Sequence, residues 1–275
     1  MDRVKRDALG LGLRPPHYEA LLRERPAVDF FEIIAENYLD SASFPRVRLR
    51  EIAEIYPLVA HGVSLNLLGS TPLDQAHLLT LRSLLDEFEI PYFSDHLCWT
   101  RSGERQHHDL LPAPYDPSLI PYAAARAAET QRLLGRPFGI ENLSSYLRWR
   151  QDSMSEWDFY RQVVEASGCW YMVDINNIYV SSQNHGFDPR VYLEALDWDR
   201  VLQVHLAGHQ LHPSGLYHDT HDRPVSAEVW RLYGDAWRFA GPFPTLVEWD
   251  AEIPPLSQLL DELDEARHRR SAEIR

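Results

Sequence analysis

The stretch LVAHGVSLNLLGSTPLDQAHLLTLRSLLDEFEIPYFSDHLCW, residues 58–99, reads as a strand, a helix and a second strand. LVAHGVSL (58–65) and YFSDHLCW (92–99) are short apolar and aromatic runs. Between them, LDQAHLLTLRSLLDEF (73–88) repeats its apolar residues at helical spacing. A helix of this length carries the chain back to the end of the sheet it left, so the two strands run parallel.

The unit recurs in both directions. Strand-like runs lie at 9–13 (LGLGL), 30–34 (FFEII), 138–143 (FGIENL), 170–180 (WYMVDINNIYV), 201–208 (VLQVHLAG) and 245–250 (TLVEWD). Helical patterns separate them, among them SLIPYAAARAAETQRLLG (118–135), SEWDFYRQVVEAS (155–167) and AEVWRLYGDAWRFA (227–240). Eight strand–helix units in 275 residues predict one α/β domain over 1–275, a TIM-type (β/α)8 barrel. A doubly wound open sheet is the alternative, but no GxGxxG turn follows an early strand.

The net charge of −14 argues against an electrostatic nucleic-acid binder, which needs a basic face. MDRVKRDALG at the start has no apolar signal core, and no apolar run reaches the length of a membrane span, so a cytoplasmic protein is expected. Cys98 and Cys169 form no CxxC pair and read as buried thiols.

A TIM-type barrel carries its chemistry at the C-terminal ends of its strands. The third to eighth strands bring His61, then Asp95 and His96, then Glu141 and Asn142, then Asp174, Asn176 and Asn177, then His205 and His209, then Glu248 and Asp250. The loop after the seventh adds His218, Asp219 and His221. The segments VAHGV, FSDHL, FGIENL, YMVDIN, QVHLAG and LVEWD contain no Lys or Arg. Buried carboxylates need positive partners, and a metal cluster supplies them. Imidazole and carboxylate donors without cysteine suit iron, manganese or catalytic zinc better than a closed structural zinc site. The nine donors His61, His96, Glu141, Asp174, Asn176, His205, Asp219, His221 and Glu248 exceed what one ion uses, so two or three ions are expected. Asp219 and His221 are two residues apart, as are Asp174 and Asn176, and such pairs face one way in extended chain. His209 reads as orienting a ligand, while His212 and His218 read as surface loop.

At these residues the chain resembles a known family. NYLD, HGVSLNLLGS, FSDHLCW, DLLPAPY, GIENLSSY, DINNIYVSSQNHGFDP, HLAGH and DTHDRPV are similar to the motifs of the DUF692 (UPF0276) family, the multinuclear non-haem iron-dependent oxidative enzymes of the MbnB/TglH type. The resemblance runs from Gly10 to Asp250. It implies a xylose-isomerase-like barrel, two or three iron ions in mixed Fe(II)/Fe(III) states, and O2 as co-substrate. The substrate class it implies is a ribosomally synthesised precursor peptide, usually modified at cysteine, with a small partner protein that binds the peptide leader. By motif, His61 and His96 would hold one ion with Glu141 bridging. Asp174, His205 and Glu248 would complete the central sites, and Asn176, Asp219 and His221 would hold a third ion. Asp95 and Asn142 are candidate supports for the ligands, and Asp109 and Tyr179 candidate peptide contacts.

Two other classes stay open on the residues alone. One is a zinc- or manganese-dependent hydrolase or isomerase on the same barrel, although a strand-borne lysine, common in sugar isomerases, is missing here: the only lysine is Lys5. The other is a non-catalytic metal-binding subunit.

Overall fold

The computed structural model describes residues 4–103 and 105–273. Eight parallel strands close into a barrel, each bonded to its neighbours in chain order: β1 (Leu9–Gly12), β2 (Phe30–Ile34), β3 (Leu58–His61), β4 (Phe93–His96), β5 (Phe138–Glu141), β6 (Trp170–Asp174), β7 (Val201–Leu206) and β8 (Thr245–Val247). Around it run α1 (Tyr18–Glu24), α2 (Phe44–Ala53), α3 (Gln75–Glu87), α4 (Ile120–Leu134), α5 (Glu156–Ser167), α6 (Ile175–His185), α7 (Pro189–Ala195), α8 (Ala227–Ala240) and α9 (Leu256–Glu273). The helix starts follow local chemistry: the side chains of Asp74, Ser155 and Ser226 accept from backbone N–H groups in the first turns of α3, α5 and α8. Gly135 and Gly168, at φ +68° and +69°, end α4 and α5 in the left-handed conformation that other residues avoid.

The expected barrel is present, with shorter strands and one misread segment. WYMVDINNIYV (170–180) is not a continuous strand: β6 stops at Asp174 and α6 begins at the next residue. The Asp174 carboxylate accepts from Asn177 N–H at 2.7 Å, which caps α6 and overrides the strand propensity of Ile, Tyr and Val. Asn176 and Asn177 therefore sit on a helix, and alternation in extended chain does not relate Asp174 to Asn176. Two antiparallel hairpins were also not foreseen: Trp99–Ser102 with Arg105–Leu111, and His209–Leu211 with Tyr217–Asp219. Both extend loops at the C-terminal end of the barrel. Cys98 and Cys169 are buried free thiols, as expected. Among the described residues no helix is long and apolar enough to cross a membrane.

Alternation along the strands sorts residues inward and outward. Val59 and His61, Ser94 and His96, Gly139 and Glu141, Met172 and Asp174, Gln203 and His205, and Leu246 and Glu248 are each two apart, and the second member of each pair meets the others inside the barrel mouth. Deeper in, Phe30, Val59, Tyr92 and Leu246 form part of a separate apolar cluster. A Cβ on Gly10 would lie 2.5 Å from the Phe30 ring, which is fully buried. Gly10→Ala should therefore destabilise the fold by about 1–3 kcal/mol through overpacking. Denaturant melts test this, and an unchanged midpoint would mean the ring has room to move.

Candidate metal centre

Glu141 ends β5 on the inward face and is buried. Its Oε2 lies 3.3 Å from His61 Nε2 and 3.4 Å from His96 Nε2. Its Oε1 lies 3.3 Å from His205 Nδ1, which in turn lies 3.2 Å from Glu248 Oε2. One carboxylate thus faces two separate nitrogen sets, one oxygen to each. Ser94 Oγ, 2.8 Å from His61 Nδ1, engages the other nitrogen of that ring and turns Nε2 towards Glu141. Four donor sets have atoms close enough to share an ion: His61, His96 and Glu141; Glu141, Asp174 and His205; Asp174, His221 and Glu248; and Glu32, His205 and Glu248.

The donors are also poorly satisfied by one another. Glu141 Oε2, Asp174 Oδ2, His205 Nδ1 and His221 Nε2 are buried without a hydrogen-bond partner. His221 Nε2 is only 2.7 Å from Asp219 Oδ1 and still makes no bond of proper geometry. Lone pairs that approach without pointing at each other fit a shared cation. Leaving such groups unpaired costs several kcal/mol each. The six carboxylates of Glu32, Glu141, Asp174, Asp219, Glu248 and Asp250 are set against the guanidinium of Arg14, which reaches the site from the loop after β1. The sequence reading missed this cation.

Without a metal, protons must do the balancing. Burial opposes charge on His96, but the carboxylates of Glu141 and Asp95 outweigh it and hold the imidazole up at about 9. Burial works against the Glu141 carboxylate too, yet His96, His61 and His205 pull it down to about 2. His205 and His221 are held well above the usual histidine range by neighbouring carboxylates, against their burial. Asp174 is pushed well above the carboxylate range, by burial first and then by Asp219 and Glu141, with His221 opposing. Groups that bind an ion compete with protons in the same way, so these shifts are compatible with a metal centre.

Asp219 and His221 converge, though not by extended alternation. Asp219 ends a hairpin strand, while His221 has φ +46°, a left-handed conformation that swings its ring back over the mouth. His221 Nδ1 lies 3.1 Å from Asp250 Oδ2, and Asp250 is ion-paired to Arg14. Asn176 is tied up as it stands: its Nδ2 donates to Asp219 at 2.6 Å and its Oδ1 lies 2.7 Å from His209 Nδ1. To offer its oxygen to an ion shared with Asp219, the amide must flip and give up the His209 bond.

Asp95 and Asn142 hold backbone beside the donors, and Asp95 Oδ1 also lies 3.6 Å from His96 Nδ1. Asp95 accepts from Ser64 N–H and Leu65 N–H at 3.2 and 3.0 Å, fixing the loop after β3. Asn142 exchanges two 2.9 Å bonds with the backbone of Asp174, prolonging the β5–β6 pairing by one residue. Asp109 is exposed on a hairpin, and Tyr179 packs against His209 and Tyr217. His212 and His218 stack on each other in the second hairpin, outside the donor sets. Glu32 on β2 was not singled out from the sequence, yet it sits beside His205. The one signal was a lone acid inside the apolar run FFEII. A cavity of about 180 Å³ opens over the donors; Ile34, Val63, Leu110 and Leu143 give it apolar walls, and Ser144 and Asn177 polar ones.

The family described as RiPP precursor modification enzyme MbnB/TglH/ChrH matches residues 8–271. The chain belongs to that family. RiPPs are ribosomally synthesised and post-translationally modified peptides, so the family makes this chain an enzyme of metal-dependent type whose substrate class is a precursor peptide. The UPF0276 protein of Caulobacter vibrioides (strain NA1000 / CB15N) is 45% identical, covering 97% of this chain and 95% of its own. That of Rhizorhabdus wittichii is 44% identical, covering 100% and 99%. Among solved structures, D-psicose 3-epimerase from Clostridium cellulolyticum H10 aligns with a TM-score of 0.58 at 12% identity, covering 97% of this chain and 96% of its own. A xylose isomerase-like TIM barrel protein from Mycobacterium smegmatis in complex with magnesium gives 0.58 at 12%, covering 97% of both chains. These two show the fold of the family member, a xylose isomerase-like TIM barrel.

Zinc titrated into metal-free enzyme at pH 7 should release protons, because His96, held up at about 9, must lose its proton to ligate. Apparent affinity should rise with pH until that value is passed. Calorimetry in buffers of different ionisation enthalpy measures the release, and none at pH 7 would exclude a protonated His96 from the binding step.

Proposed function

We propose that the protein is an O2-dependent oxidase with two or three iron ions, acting on a residue of a ribosomal precursor peptide, with cysteine the first candidate. The observation that carries this reading is the division of Glu141 between two nitrogen sets, the arrangement a bridging carboxylate needs. On this reading His61, His96 and Glu141 hold one ion, and Glu141, Asp174, His205 and Glu248 hold a second. Asp219 and His221 hold a third, with Asn176 after an amide flip. The donor set, imidazole and carboxylate without thiolate, is compatible with iron in both common oxidation states. Bound iron would supply the one-electron chemistry of O2 and a binding position for a substrate thiolate.

The chain's own residues shape what happens around it. Ser94 fixes the ring nitrogen that His61 presents. Ile34, Val63, Leu110 and Leu143 limit water in the cavity, which favours a small side chain entering from a peptide. Asn177 Nδ2 donates to Asn142 O at 3.1 Å, tying the cavity wall at the start of α6 to the end of β5. Tyr146, Leu147, Trp149 and Leu211 are exposed on the loops after β5 and β7. Such large apolar groups beside a mouth suit a bound peptide and a small partner protein that holds its leader.

The test is metal content by mass spectrometry on protein purified without added metal, followed by O2 uptake with cysteine-bearing peptides encoded beside the gene. Two or three irons per chain, with peptide-dependent O2 uptake, are expected. Glu141→Ala should lose both central ions and all turnover. Stoichiometric zinc or manganese, with no O2 uptake after reconstitution with ferrous iron, would move the chain to the hydrolase or isomerase reading.

A further inference from the structure

Glu32 poses a problem of its own. It is an acid near the middle of the barrel interior, with 4% of its surface exposed. Its Oε1 lies 3.1 Å and its Oε2 3.2 Å from His205 Nε2. Gln203 Nε2 donates to Glu32 Oε2 at 2.7 Å, and the Tyr92 hydroxyl donates to Gln203 Oε1 at 2.7 Å. Tyr92 and Gln203 are 3% and 0% exposed, so this chain of polar groups has no access to bulk water. Such a chain is costly to bury unless each bond is made.

The donors and acceptors fix its direction. The Tyr92 hydroxyl occupies the amide oxygen, so the amide turns its N–H2 to Glu32. Glu32 as a carboxylate can only accept, so the His205 nitrogen facing it carries a proton. That nitrogen is Nε2. Gln203 Nε2 also lies 2.9 Å from this nitrogen, but a lone pair there would face both Glu32 oxygens, at 3.1 and 3.2 Å, so the carboxylate favours the Nε2–H form. Once an ion displaces the second proton of this ring, an imidazole that keeps Nε2–H presents its lone pair at Nδ1. Nδ1 is the atom 3.3 Å from Glu141 and 3.2 Å from Glu248, and it has no hydrogen bond.

We infer that the buried series Tyr92–Gln203–Glu32 positions His205, holding it as the Nε2–H tautomer with Nδ1 aimed at the ion shared with Glu141 and Glu248. Glu32 is thereby a positioning residue and not a further ligand. The two ring nitrogens point their in-plane bonds away from each other, so a group on the Nε2 side cannot share an ion with groups on the Nδ1 side through this ring. A carboxylate behind a ligating imidazole fixes the ring's orientation and raises its basicity. Here the carboxylate is itself oriented by an amide, and the amide by a phenol, on three different strands or their approaches: β2, β7 and the residue before β4.

The inference rests on reading His205 as a ligand, and the experiment separates the two. Metal-stripped full-length protein is titrated with cobalt(II), followed by its visible bands, and with zinc by calorimetry. Three variants are compared with wild type: Glu32→Gln, Gln203→Leu and Tyr92→Phe. Glu32→Gln should weaken one class of ion by roughly 10–100-fold and leave another, at His61 and His96, unchanged. Gln203→Leu, which leaves Glu32 in place without its orienting amide, should weaken the same class by a smaller factor and shift the same cobalt bands. Tyr92→Phe should act in the same sense and less again. Should Glu32→Gln not fold, the other two variants carry the test. Wild-type affinity in all folded variants overturns the positioning role. Loss of the ion in Glu32→Gln with no change in Gln203→Leu and Tyr92→Phe also overturns it, making Glu32 a ligand. Failure of His205→Ala to affect any ion would instead sink the ligand reading beneath it.

Discussion

The two oxygens of Glu141 face different imidazoles, and the rest of the site is arranged around that division. It requires His61 and His96 on one side of the β5 end and His205 on the other. Barrel closure provides this: β3 and β4 lie to one side of β5, β6 and β7 to the other. It also requires that these residues occupy inward positions at the same height. The register does so, pairing His96 with Glu141 and Asp174 with His205 across neighbouring strands. A one-residue slip in any of these pairings would turn a donor out of the barrel, so the apolar patterning that sets register also sets the coordination geometry.

The fold was largely legible because its signals are periodic. Strands of three to six residues, separated by helical patterns, point to parallel crossovers without tertiary knowledge. The cluster of acids and imidazoles was legible for a related reason: at strand ends, with no Arg or Lys in the same segments, they leave buried charge that calls for a cation. What escaped was non-local or locally ambiguous. Arg14 comes from a loop far in sequence from its partner Asp250. Glu32 lies among apolar residues in a strand buried on both faces, where side-chain direction is not marked by alternation. The start of α6 was hidden because Ile175, Ile178, Tyr179 and Val180 suit a strand as well as a helix, and a single capping bond decides between them.

Support for the candidate donors differs across the site. Around His61 and His205 it is made of fixed hydrogen bonds inside the barrel. Around Asn176 and His221 it depends on a hairpin, a left-handed residue and an amide bonded to Asp219. Deeply buried polar networks rigidify, whereas elements at the edge of the mouth are less constrained.

Asp174 gives one oxygen to the first turn of α6 and keeps the other buried and unpaired. A candidate ligand is therefore also a helix cap. Any ion that binds the free oxygen favours the ionised carboxylate that the cap needs, and so binding and helix formation are thermodynamically linked. Occupancy would be felt along α6 as far as Asn184, whose amide grips Tyr217 in the hairpin that bears Asp219. An ion at Asp174 would thus reach, through one helix, the hairpin that offers the shallow donors.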